Sequence, residues 1–323
     1  MATREALLAV VESAYGTPKT SPVTGTDRWY FNLPDSDSFQ GVMSPVFQET
    51  DYGGGIAVPF DVSADHYVTS INWKGFVYPT LATFLINLFC QNVTAAPLPW
   101  TTTEPVGDLA SASFYKYWVT RASATPVRKQ FPGCKGLTLN LDASRSDPRL
   151  RFSATLAAQE EKGNSVDSSS DPDSTAFPTP ADTLVPTGPY LLSHSTGNVS
   201  IGGAAETSYE SVSIKVTNTV DVRFFEGHFP TVMAWTGRTI EVTVQRLLKS
   251  SPNRRTQFQG LTAVATYVKF DNGTNSFKMD FGSRCHISQY TQQLGKGREF
   301  LETSTIKAKL DTSTGTDVTL TFT

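Results

Sequence analysis

Six short segments of this chain alternate apolar and polar residues with a period of two, and that periodicity limits the fold more than any other feature of the sequence. Neighbouring residues of a strand face opposite sides of a sheet. In 239–245, Ile240, Val242 and Val244 therefore share one face while Thr239, Glu241, Thr243 and Gln245 share the other. The same pattern runs through 137–141, 150–156, 212–216, 306–310 and 318–322. Alternation of this kind fits antiparallel sheets with one dry face; parallel sheets need long apolar runs. Charged residues make up only 18% of the chain, with Ser, Thr, Gly and Pro abundant, so the expectation is a mainly β protein.

One segment breaks the pattern. Residues 79–90 carry Leu81, Phe84, Leu85, Leu88 and Phe89 at helical spacing behind Pro79, which suits a first helical turn. This predicts a helix lying flat on a sheet. A second, shorter helix is predicted from Pro252 to about Phe258, with Gly260 as its stop. Residues 35–60 read as a long loop, and the Ser-, Asp- and Pro-rich stretch 161–189 reads as an exposed connector. The connector separates a first β unit, 1–160, from a second, 190–323.

The two sides of that boundary repeat one order of elements. Leu141-Asp142-Ala143-Ser144 corresponds to Leu310-Asp311-Thr312-Ser313, an offset of 310 − 141 = 169, and Ile71 corresponds to Ile240 at 240 − 71 = 169. The helix-opening prolines are a little further apart, at 252 − 79 = 173. Each half reads as strand, short helix, strands and final hairpin, which is the signature of a duplicated unit.

Several functions are excluded. With 27 basic and 30 acidic residues the net charge is −3, which gives little electrostatic hold on phosphate backbones. The longest apolar stretch, 78–90, is too short and too interrupted to span a bilayer, and the N-terminus has no signal-peptide core, so a soluble protein made in a cytoplasm is expected. Cys90, Cys134 and Cys285 are distant and odd in number, and read as buried thiols. His66, His194 and His286 have no second ligand at metal-binding spacing, and Gly295-Lys296-Gly297 lacks the features of a phosphate loop. Arg254, Arg255 and Arg284 read as solvated cations.

The run Phe224-Phe225-Glu226-Gly227-His228-Phe229-Pro230 resembles the turn that presents a catalytic histidine in hot-dog-fold dehydratases. In those enzymes a long helix with an acidic partner follows; here a strand follows, with Glu241 in it. The run therefore reads as a turn between strands. No catalytic, cofactor or metal site is expected, and the chain is read as structural.

An ordered set of segments carries a resemblance over most of the chain. It comprises Glu12-Ser13-Ala14-Tyr15-Gly16-Thr17, the strand and helix from Trp73-Lys74-Gly75 to Phe89, Lys129-Gln130-Phe131-Pro132-Gly133-Cys134 entering 137–156, and Gly227-His228-Phe229-Pro230 before 239–245. In this order they resemble the tail tube, or major tail, proteins of long-tailed bacteriophages. The resemblance implies duplicated β-sandwich or barrel units, each with a short flanking helix, self-associating into stacked rings around a channel for the genome. Because the unit is duplicated, the ring is expected to be a trimer imitating a hexamer. Tape-measure, tail terminator and distal tail proteins are the implied partners, and DNA passes without specific binding. The implied location is the virion tail, assembled in the host cytoplasm.

Within residues 35–60, Tyr52 beside Gly53, Gly54 and Gly55 is the expected ring-stacking loop, since glycines permit close backbone approach. The competing reading is a monomeric carbohydrate-binding or surface decoration module. That reading needs an exposed aromatic platform from Trp29, Tyr30, Trp100, Tyr115, Tyr117 and Trp118.

Overall fold

The alternating segments form antiparallel strands in a computed structural model that describes residues 4–18, 28–32, 38–49, 62–90, 100–103, 109–119, 127–162, 188–192, 197–225, 228–248, 253–294, 300–309 and 318–322. The N-terminal half holds β1 (Arg4–Ala14), β2 (Thr17–Pro18), β3 (Arg28–Asn32), β4 (Phe39–Glu49), β5 (Val62–Phe76), α1 (Pro79–Cys90), β6 (Trp100–Thr103), β7 (Ala112–Val119), β8 (Val127–Ser144) and β9 (Arg151–Ala158). The C-terminal half holds β10 (Val199–Ile201), β11 (Ala204–Ala205), β12 (Tyr209–Arg223), β13 (Val232–Leu247), α2 (Arg254–Gln259), β14 (Ala263–Val264), β15 (Thr266–Asp271), β16 (Ser276–Asp280), β17 (Cys285–Leu294), β18 (Phe300–Lys307) and β19 (Thr319–Phe322).

The central feature is a broad sheet crossing both halves. In the first, β4, β5, β9 and β8 pair in that order; in the second, β12, β13, β18 and β17 do. β8 then pairs with β12, joining the two sets edge to edge. The period-two pattern stays in phase across the middle of the sheet, with register shifts only towards the strand ends. Phe152, Leu141, Ile214, Val242, Ile306 and Ile287 form one cross-strand row, all buried. The adjacent outward row is Lys74, Ser153, Asn140, Lys215, Glu241 and Lys307. A one-residue slip at any strand would put polar groups into the core, so burial fixes the register.

A second layer closes over the dry face. β3, β1, β7 and the first part of β8 provide it in the N-terminal half. A six-stranded sheet, β11-β10-β15-β16-β19-β6, provides it in the C-terminal half, with β6 supplied by the N-terminal half. The arrangement is sandwich-like and overwhelmingly strand, as the periodicity requires.

α1 occupies 79–90 as predicted, and Leu81, Phe84, Leu85, Leu88 and Phe89 are all buried. Each such side chain contributes about 1.5–3 kcal/mol relative to exposure. Around the helix the N-terminal core is aromatic. The Trp73 ring lies 4.9 Å from Phe152, 5.6 Å from Phe114 and 6.2 Å from Phe84 in edge-on geometries, which favour the ring quadrupoles. α2 begins at Arg254, capped by the Asn253 side chain, which accepts the Thr256 N–H at 3.2 Å, and ends at Gly260.

Three expectations need revision or stand apart. Residues 39–49, read as part of a loop, form strand β4; Gly41 and Pro45 break its alternation, and a strand tolerates proline at a sheet edge, where β4 lies. The 306–310 segment pairs only as far as Lys307, after which the Ala308 N–H still bonds the Ile240 carbonyl at 3.0 Å. The sheet order also revises the repeat: β13-β18-β17 parallels β5-β9-β8, so the 306–310 strand takes the place of β9 and not of 137–141 in β8, and the offset of 169 holds for Ile71 and Ile240 but not for Leu141 and Leu310. Residues 310–313 lie outside the described residues, as do 163–187 of the connector. Cys90, Cys134 and Cys285 are buried free thiols, as expected.

Candidate assembly surface

The halves meet along a continuous ladder. Seven residue pairs, from Ser211↔Ser144 to Thr217↔Thr138, form the β8–β12 ladder. Beyond its end the Asn218 side chain, itself buried, donates to the Phe89 carbonyl at 3.0 Å and the Gly136 carbonyl at 2.9 Å. Arg238 Nη1 donates to the Cys90 carbonyl at 3.0 Å. The last carbonyls of a helix have no partner within it and carry partial negative charge, so these donors from β12 and β13 satisfy and complement the end of α1. The buried Lys135 ammonium donates to the Met233 carbonyl.

The Phe224–Pro230 run, of which Glu226 and Gly227 lie outside the described residues, is part of this contact through its described positions. His228 is exposed; its carbonyl accepts the Tyr67 N–H at 2.7 Å, and the Phe229 ring lies 6.1 Å from the Tyr67 ring. The hairpin β12–β13 thus reaches back across the junction to β5. Among the described residues, no group of three or more His, Cys, Asp or Glu side chains is placed to hold a metal ion.

Two segments that carried the resemblance meet at one carboxylate. Glu12, buried, accepts from the Gly16 N–H at 2.8 Å, the Gly133 N–H at 2.7 Å and Ser113 Oγ at 2.6 Å. Gly133 has φ +65°, and a Cβ there would sit 2.9 Å from the Tyr15 ring and from Cβ of Gln159, so glycine alone fits. Burial pushes the neighbouring Cys134 thiol and Tyr15 phenol well above their ordinary values, with the Glu12 charge adding to both.

Sequence reasoning misjudged Arg254. It is buried, not solvated, and belongs to a closed quartet with Glu206, Arg246 and Glu302. Arg246 Nη1 lies 2.6 Å from Glu206 Oε2, its guanidinium also binds Glu302, and Arg254 binds Glu206 and the Ile201 carbonyl. Two cations and two anions leave the cluster neutral, which is what makes burying it tolerable. Burial pulls the Arg254 pKa down, and Glu206 opposes this. His286 Nδ1 lies 3.0 Å from the Leu261 carbonyl, and Arg284 is exposed.

Tyr52, Gly53, Gly54 and Gly55 lie outside the described residues, as do His194, Gly295, Lys296 and Gly297. Of the aromatic platform, Tyr115 and Tyr117 are buried, whereas the side chains of Trp29, Tyr30, Trp100 and Trp118 are outside the description.

Two edges of the broad sheet remain. Among the described strands, β4 pairs only with β5, and β17 from Ile287 onward pairs only with β18. Large apolar side chains are exposed beside both, with Val42 at 54% and Met43 at 45% on β4, and Leu261 at 69% in the turn after α2. Such edges are templates for pairing with another chain.

The architecture is that of a mainly β, antiparallel, sandwich-like protein. The chain matches the phage tail tube protein family over residues 2–323 and belongs to it. It is therefore a structural protein of the bacteriophage virion tail that self-assembles into a tube. No curated protein matches it.

Proposed function

We infer that this protein forms stacked rings whose central channel conducts the genome during ejection, and that each ring contains three chains imitating a hexamer. The observation that carries the reading is the β8–β12 ladder, which sets the β4-β5-β9-β8 group beside the similarly ordered β12-β13-β18-β17 group. The proposed units are 1–160 and 190–323, with 161–189 as connector. Two like units joined edge to edge within a chain can close a six-unit ring from three chains.

The polar face of the broad sheet is the proposed channel wall. Its backbone groups are satisfied within the sheet, and the outward row Asn72, Thr155, Thr138, Thr217 and Thr239 is uncharged; in the adjacent row Glu241 offsets Lys74, Lys215 and Lys307 only in part. Such a surface gives DNA few fixed cations to hold, in keeping with passage without specific binding. Tyr52, Gly53, Gly54 and Gly55 are the proposed ring-stacking loop, and deletion of Gly53 to Gly55 should block stacking while leaving single rings. Tape-measure, terminator and distal tail proteins are the proposed partners, with assembly in the host cytoplasm.

The burial of Tyr115 and Tyr117 weighs against the monomeric binding-module reading. Negative-stain electron microscopy over a protein concentration series tests the proposal. Rings or tubes with a central channel support it, and a persistent monomer would sink it.

A further inference from the structure

The strands of the broad sheet end on two rims. One rim carries the β8–β9 turn, the start of β12, the end of β13 and the β17–β18 turn. The other carries the β12–β13 turn, because that hairpin runs six residue pairs beyond Thr217, where the β8 ladder stops. This overhang is held in place: the His228 carbonyl accepts the Tyr67 N–H at 2.7 Å, and the Thr231 N–H bonds the Arg223 carbonyl at 2.9 Å. Between those two anchors Phe225 is 66% exposed. A large apolar side chain left in water on an anchored turn marks a contact surface.

The opposite rim offers two seats of unlike chemistry. At the β17–β18 turn, Leu294 and Phe300 form a cross-strand pair, 64% and 60% exposed, and Leu248 joins them because its N–H bonds the Phe300 carbonyl at 2.8 Å. The β8–β9 turn holds the equivalent place in the first half, since β13-β18-β17 parallels β5-β9-β8. That turn is ionic. Arg149 and Arg151 both bind Asp147 and lie over the Phe76 ring, and Arg145 binds Glu210.

We propose that Phe225 of one copy seats on the Leu294–Phe300 pair of a copy in the next ring, and that this contact fixes the rotation of each ring on its neighbour. The occupant is a second copy of this chain, since the family self-assembles into a tube and a ring closed through its sheet edges leaves the strand rims facing the rings above and below. In a three-chain ring the apolar and ionic seats alternate about every 60°. Phe225 on the apolar seat buries only apolar surface; on the ionic seat it would strip water from charged groups and return no hydrogen bond. The difference between the seats therefore selects one of two registers that the pseudo-repeat would otherwise leave equivalent. The inference rests on the ring reading and adds to it what sets the register.

Cross-linking of assembled tubes with a short bismaleimide tests this, since the native cysteines are buried. A Phe225→Cys/Leu294→Cys chain is expected to give covalent ladders that lengthen with the tube, and a Phe225→Cys/Arg149→Cys chain none. Tubes of the first chain without ladders, or equal ladders from both chains, overturn the proposal and leave the ring reading intact. A wild-type chain that forms neither rings nor tubes overturns the ring reading and the proposal with it. Independently, Phe225→Ser should raise the concentration at which tubes form by more than about tenfold, with single rings and the melting temperature unchanged. Tube formation at the wild-type concentration would contradict the proposal.

Discussion

The two helices occupy corresponding places after long strands, yet they are anchored by opposite chemistry. α1 is twelve residues long and is held by a stripe of buried apolar side chains against an aromatic core. α2 is six residues long and is held chiefly by Arg254, buried in an ion quartet with Glu206, Arg246 and Glu302. A short helix offers too little apolar surface to anchor itself, and a charge network fixes direction and register where packing alone would not. Topology can thus be kept while the interactions that secure it are exchanged.

The sharpest break of this comparison is at the aromatic side. Trp73→Ala should cost about 5 kcal/mol, at the upper end for a buried aromatic, because five neighbouring rings lose a partner. Urea denaturation measures it. On the ionic side, Glu206→Ala should cost about 4 kcal/mol by leaving the buried Arg254 without its carboxylate and Arg246 with Glu302 alone. Adding Arg254→Met should recover part of the loss, and no recovery would mean that the quartet does not act as a unit.

Asn218→Ala, at the junction between halves, should cost about 2 kcal/mol by stripping a buried donor from two carbonyls. Native-state hydrogen exchange should then rise first around the end of α1. The smallest effect is at the α2 cap, where Asn253→Ala should cost about 1 kcal/mol.

Alkaline pH sharpens the comparison in another way. Burial pushes the Tyr209 phenol up to about 12, with the Asp271 charge adding to this, and burial alone raises Tyr190. For groups raised in the folded state, the stabilising contribution is complete below the ordinary value of 10.0 and is lost as pH climbs toward about 12. Melting temperature should therefore fall over that window, and Tyr209→Phe should flatten the decline. A steeper decline in that variant would show that another group controls it.

What was legible in the sequence depended on the range of the interaction. α1 could be read residue by residue, because Pro79 and the apolar stripe are local signals of a helix that packs by one face. The strands 137–141, 212–216 and 239–245 were legible because each has one dry face. β4 was not, since Gly41, Ser44 and Pro45 interrupt the period at an edge where the fold tolerates them. The role of Arg254 was equally hidden, because its partner Glu206 lies 48 residues away with no fixed spacing between them. The Phe224–Pro230 run could be read as a turn, but its docking on Tyr67 depends on the β8–β12 junction.

That junction makes the stoichiometry of the ring the decisive quantity. Native mass spectrometry of isolated rings, with the rotational symmetry read from end-on electron micrographs, measures it directly. The account predicts three chains per ring with a six-fold pseudo-repeat; six chains per ring would contradict it.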